Sequence, residues 1–101
     1  MIYALAVPGP IEDVEELRVL QWHGEPGTRF AAGELIVELE THKAVVEVRA
    51  SGPGVLRAIL CPAGDWQAVG RTLALIGDDD VEPLPAPDAA GPRFDVAFEV
   101  T

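Results

Sequence analysis

The stretch VELETHKAVVEV, Val37 to Val48, decides how the rest of the chain is read, because two alternating apolar runs meet there around a single cation. On the leading side, Leu35, Val37 and Leu39 are apolar while Glu34, Glu38 and Glu40 are charged. On the trailing side, Ala44, Val46, Val48 and Ala50 alternate with Glu47 and Arg49. A period of two is that of a strand with one wet face. Joining the runs through a four-residue turn, Thr41 to Ala44, sets Leu39 opposite Val46, Val37 opposite Val48 and Leu35 opposite Ala50, with all six side chains on one face. Glu38 and Glu47 then oppose each other on the outer face, and His42 and Lys43 occupy the two central turn positions, projecting into water.

Lys43 is the only lysine, since the other six basic residues are arginines. A solvated ammonium group is a poor nucleophile, so a catalytic amine is not expected there. Two readings remain from the residues alone: a target for covalent attachment, or an exposed turn lysine with no function.

The surrounding composition narrows the class. A chain of 101 residues supports one small core. Ten glycines and nine prolines favour short strands and turns. The net charge of −10, with no cluster of Lys and Arg, excludes nucleic acid as a partner and argues against a membrane surface. Cys61 is a lone cysteine, expected as a small buried filler, and it agrees with a reducing compartment. The opening MIYALAVPGPIED has no basic leader and is broken by proline, so the cytoplasm is the expected location. His23, His42 and Cys61 lack metal-ligand spacing, and no nucleophile–His–acid arrangement or phosphate-cradling loop is present, so neither a metal site nor catalytic residues are expected.

Residues 1–76 read as strands punctuated by Gly and Pro, with Leu17 to Trp22 a strand preceded by a polar approach. Shifted by 37 positions, the chain echoes itself: Gly27 falls on Gly64, Gly33 on Gly70, Val19 on Leu56, Trp22 on Ile59 and Leu39 on Ile76. Such a duplication predicts two sheets about an approximate two-fold axis, each covering the other's apolar face. Beyond Gly77 the character changes. Residues 77–101 hold seven acids and one arginine, and GDDDVEPLPAPDAAGP has the make-up of an extended connector. In the closing RFDVAFEVT, Phe94, Val96, Phe98 and Val100 alternate as a half-buried strand does. That strand is expected to add to this domain's own edge or to a partner's, or else to be a remnant of a longer parent. The expected division is a domain over 1–77, a Pro/Ala/Asp-rich acidic linker over 78–92 and a strand-like segment over 93–101.

With these features in place, the sequence resembles a lipoyl domain of the biotinyl/lipoyl attachment family. The resemblance is carried by ETHKA, Glu40 to Ala44, and by Gly27, Gly33, Ala50, Gly54, Gly64, Asp65, Gly70 and Ile76. His42 stands where the family usually has an acid, Thr28 where it has a turn Asp, and Gln67 where it has Val. The resemblance implies an all-β fold, a flattened eight-stranded barrel-sandwich of two four-stranded sheets. It further implies lipoate in amide linkage on Lys43, flanked by Glu40, Thr41, His42 and Ala44, on a carrier that is not itself an enzyme. Implied partners are a lipoate-attaching enzyme and the dehydrogenase and acyltransferase components of a 2-oxo acid dehydrogenase-type complex. A biotin carrier is the nearest alternative, although Thr41, His42 and Ala44 fit the lipoyl pattern better than the methionine-flanked biotinyl one. An unmodified barrel serving as an interaction module is the other.

Overall fold

A computed structural model describes residues 1–86 and 91–101. The described residues form strands and turns with no helix, hence no helix long and apolar enough to cross a membrane. The strands are β1 (Ile2–Ala6), β2 (Glu16–Trp22), β3 (Arg29–Phe30), β4 (Leu35–Glu40), β5 (Val45–Ala50), β6 (Gly54–Ile59), β7 (Trp66–Ala68), β8 (Thr72–Gly77) and β9 (Val96–Val100). One sheet runs β1-β8-β6-β3 and the other β7-β2-β4-β5-β9, and every strand pairing is antiparallel. The architecture is the flattened barrel-sandwich expected, with one correction: the second sheet has five strands, because β9 joins it.

The internal echo is realised in the hydrogen bonding. Gly27 N donates to Leu56 O at 2.7 Å, and Gly64 N donates to Val19 O at 2.8 Å. Leu56 N donates back to Thr28 O at 2.8 Å, and Val19 N to Asp65 O at 2.9 Å. Each bond is its partner's image under the 37-residue shift, so each half clamps a strand of the other. The two sheets therefore have equivalent orders, β1-β8-β6-β3 matching β5-β4-β2-β7. The clamp depends on the turns at Glu25–Thr28 and Pro62–Asp65, where Gly27 (φ 103°) and Gly64 (φ 96°) take a left-handed conformation that a side chain would strain.

Between the sheets lie Leu5, Leu17, Val19, Ile36, Val37, Leu39, Val46, Val48, Leu56, Leu73 and Ile76, all fully buried. Cys61 is buried beside them as expected, and burial, with a lesser contribution from Asp65, pushes its thiol pKa up. Trp22 lies at the edge of this core and donates from Nε1 to Cys61 O at 3.0 Å.

The β4–β5 hairpin keeps the expected pairs Leu39–Val46, Val37–Val48 and Glu38–Glu47, but Leu35 stands opposite Arg49 instead of Ala50. A register shift between Leu35 and Val37 is responsible. It turns Ile36 inward beside Val37, so two consecutive residues are buried where strict alternation allows one.

Past β8, the Asp79 carboxylate accepts from Val81 N and Glu82 N, both at 3.0 Å, and these bonds hold its pKa below the usual range. The expected connector continues through residues 87–90, which lie outside the described residues. Pro92 to Phe94 then lie along β1, and β9 pairs with β5.

Truncating Leu39 to Ala should cost about 2–4 kcal/mol, read as a lower urea midpoint with an unchanged slope, since the cavity opens under a hairpin fixed on both flanks. Cys61 gives a pH test. A thiol whose folded pKa is raised supplies stability that is intact below its unfolded pKa and is lost as pH rises through the folded value. Cys61→Ala should therefore flatten the alkaline limb of the stability profile, and alkylation of the native protein at neutral pH should be limited by unfolding.

Candidate functional site

The hairpin tip is built around Thr41. Its backbone N–H donates to Ala44 O at 2.8 Å, closing a four-residue turn. Its Oγ1 accepts from Lys43 N at 3.0 Å and from Ala44 N at 2.9 Å. Thr41 is the one buried polar side chain among the described residues. A hydroxyl that satisfies both following amides replaces water there, so the turn holds its shape without burying anything beyond itself.

Outside this pin, His42 and Lys43 are exposed. Among the described residues, no carboxylate forms an ion pair with the Lys43 ammonium and no side-chain hydrogen bond restrains it. One residue before the turn, Glu40 is half-buried and is held by Arg18 Nη1 at 2.8 Å, while Arg18 Nε also reaches Gly64 O at 3.3 Å. The base of the tip is thereby tied to β2 and to a turn of the other half. Further down the outer face, His23 Nε2 lies 2.6 Å from Glu38 Oε1, and Arg49 Nη2 lies 3.4 Å from Glu47 Oε1.

All five expected site residues, Glu40, Thr41, His42, Lys43 and Ala44, fall on this one tip. Three features were not anticipated from the sequence. One is the role of the Thr41 hydroxyl, for which a Thr followed at two and three residues by turn amides is the available signal. The other two are long-range: Arg18 reaching Glu40, and an open 620 Å³ cleft beside His42 lined by Ile11, Asp13, Val14, Glu15, Glu16 and the half-exposed Trp66. Neither has a local sequence signature. No group of three His, Cys, Asp or Glu among the described residues is placed to hold a metal ion.

The biotin/lipoyl attachment model, described as biotin-requiring enzyme, matches residues 4–76. The solution structure of the lipoyl domain of the 2-oxoglutarate dehydrogenase complex from Azotobacter vinelandii is similar with a TM-score of 0.62 and 33% identity, covering 75% of this chain and 99% of that one. The chain is a lipoyl domain of the biotinyl/lipoyl attachment family. Among larger relatives, the dihydrolipoyllysine-residue succinyltransferase component of the 2-oxoglutarate dehydrogenase complex from Cupriavidus necator is 36% identical, over 88% of this chain and 21% of that protein. The mitochondrial pyruvate dehydrogenase complex protein X component from Chaetomium thermophilum is 32% identical, over 86% of this chain and 20% of that protein. The chain thus spans about a fifth of the length of these relatives. By family, it is a carrier module.

Two departures from the usual lipoyl-domain pattern are accommodated. Thr28 replaces the turn Asp, and its Oγ1 still accepts from Glu25 N at 3.0 Å. Gln67 replaces Val, and its amide bonds Thr72 O at 3.3 Å and its own neighbour Ala68 N at 3.1 Å, so its polar end is satisfied where Val would only pack. His42 simply points outward, at the rim of the cleft.

Thr41→Val, nearly isosteric, removes the acceptor for two amides and should cost about 1–3 kcal/mol. Amide exchange should accelerate at Lys43 and Ala44 while the Val37 and Val48 amides stay protected.

Proposed function

We propose that Lys43 is the attachment point for lipoate in amide linkage, and that this lipoyl domain presents the resulting arm to successive enzymes. The observation that carries this reading is the state of the amine: the sole lysine, exposed at the apex of a turn pinned by Thr41, with no ion-pair partner among the described residues. The tip fits the group because amide formation removes a charge that nothing among the described residues pairs with, and because Lys43 stands exposed at the turn.

When bound, lipoate supplies a dithiolane whose disulfide–dithiol chemistry takes up an acyl group together with two electrons. The protein's residues act mechanically. β4 and β5, paired from Leu35 to Val45, form a stiff arm anchored by Leu39, Val46 and Val48 in the core. Thr41 fixes the direction in which Lys43 leaves the turn, and Arg18 holds Glu40 so that the base of the tip does not fray. A tethered arm raises the effective concentration of its end at each active site it can reach.

The proposed partners are a lipoate-attaching enzyme, which loads Lys43, and the dehydrogenase and acyltransferase components of a 2-oxo acid dehydrogenase-type complex. The names of the relatives from Cupriavidus necator and Chaetomium thermophilum support the latter pair. The same reading assigns residues 1–77 to the carrier body, 78–92 to an acidic connector and 93–101 to a short C-terminal strand-like segment, whose strand pairs with β5 of that body.

Intact-mass measurement after co-expression with a lipoate ligase, and separately with a biotin ligase, tests the assignment. Lipoate on Lys43 is the expected product, and biotin alone would replace this reading with a carboxyl-carrier one. Lys43→Arg should abolish loading while stability stays within about 0.5 kcal/mol of the parent, as for other exposed substitutions.

A further inference from the structure

The family match ends at residue 76, yet the sheet that carries the Lys43 hairpin is completed by residues far beyond it. β5 has two edges. One pairs with β4, and the other is filled by β9, with Val46 opposite Val100, Glu47 opposite Glu99, Val48 opposite Phe98, Arg49 opposite Ala97 and Ala50 opposite Val96. At the top of this ladder, Val45 N donates to Thr101 O at 3.2 Å and Thr101 N donates to Val45 O at 2.8 Å. Val45 directly follows Ala44 of the turn, so the last rung sits at the root of the tip. At the bottom, Ser51 N donates to Asp95 O at 3.2 Å. By the alternation of an antiparallel ladder, the amides of Val45, Glu47, Arg49 and Ser51 point to β9, whereas those of Val46, Val48 and Ala50 point to β4.

The same segment serves the other sheet. Ala4 N donates to Pro92 O at 2.9 Å, and Phe94 N donates to Ala4 O at 2.8 Å, so Pro92–Phe94 cover the outer edge of β1, the pseudo-symmetric counterpart of β5. The Phe94 ring packs edge-on against Tyr3 with centroids 6.1 Å apart. One short stretch therefore crosses the open seam of the sandwich and closes both of its edges.

From this geometry we infer that residues 92–101 form a strap that positions Lys43, ordering the outer strand of the hairpin and the root of its tip. The inference rests on the proposed function only for its loading readout. The strap is held lightly. Glu99 faces Glu47, which faces Glu38, and like charges directly opposite one another disfavour pairing. Phe98 and Val100 point toward the inner face but stay 41% and 48% exposed, because the other sheet has no strand beyond β1 to cover them. A light strap shifts a population instead of locking it. If the ordered tip is the form a loading enzyme binds, removing the strap raises the apparent dissociation constant by the inverse of the remaining ordered fraction and leaves turnover unchanged.

The test compares the full chain with residues 1–86, which keep the whole family-matched region, and with Ala97→Pro in the full chain, which removes one ladder donor. Expected in both variants is at least roughly tenfold faster amide exchange at Val45, Glu47 and Arg49, with Val46 and Val48 still protected. Exchange at Lys43 and Ala44 should also quicken. In loading by a lipoate ligase, KM should rise roughly threefold or more at constant kcat. Glu99→Lys should act in the opposite sense, slowing exchange at Glu47 by about twofold or more. Odd-position amides that stay protected in residues 1–86 would overturn the strap. So would tip exchange and loading KM that stay unchanged while those amides open, and so would protection in the full chain that falls on dilution, which would place the strand on a second copy. If the full chain is not loaded at all, the proposed function fails, and exchange at Lys43 and Ala44 still decides the strap.

Discussion

The structure depends on the exchange of backbone hydrogen bonds between its two halves. Neither half can cover its own apolar face: β2 and β4 present Leu17, Val19, Val37 and Leu39, while β6 and β8 present Leu56, Leu73 and Ile76. Stacking the two faces buries both, but stacking alone leaves the sheets free to slide. The reciprocal bonds from Gly27 to Leu56 and from Gly64 to Val19 remove that freedom, because each turn of one half is tied to a strand of the other. The left-handed glycines are what let those turns bring their N–H groups close enough. A small domain with a single core gains from this arrangement, since a directional constraint supplements an apolar area that is limited by size.

Rigidity in the body is what permits an exposed tip. A turn that had to bury side chains for its own stability could not present a lysine freely. Here the turn is satisfied internally by the Thr41 hydroxyl, and its base is fixed by Arg18 on Glu40, so Lys43 and His42 carry no structural duty. Stability and presentation are separated: the residues that hold the fold lie between the sheets, and the residue proposed to carry the prosthetic group touches none of them.

Much of this was legible because it follows from periods. Alternation around ETHKA gave the hairpin and its inward face, and equal glycine spacing in the two halves gave the two-sheet duplication. What escaped was whatever breaks a period or acts over a distance. The register shift that turns Ile36 inward is invisible to strict alternation, which set Leu35 against Ala50 when its partner is Arg49. The Arg18–Glu40 pair joins residues 22 apart and depends on β2 lying beside β4, a neighbour relation no local pattern encodes. The alternation of Phe94, Val96, Phe98 and Val100 announced a strand but not its destination, since the edges of β1 and β5 are equally open by symmetry. The structure uses both, Pro92–Phe94 on the first and β9 on the second.

That symmetry also shows why a segment outside the matched domain lies where it does. Two-fold duplication leaves two equivalent outer edges at one seam, and an unpaired edge next to an exposed tip invites pairing with the wrong chain. A body of eight strands cannot close the seam itself, because a strand added to one sheet leaves the other edge bare. A segment that runs along β1 and then changes sheets to β5 closes both with one short length of chain. One of its acids, Glu99, stands opposite Glu47 of β5, and like charges so placed disfavour the pairing. The price of protecting the edge is thus a weak grip on the outer strand of the hairpin, and a weak grip is the kind that a change of charge can alter.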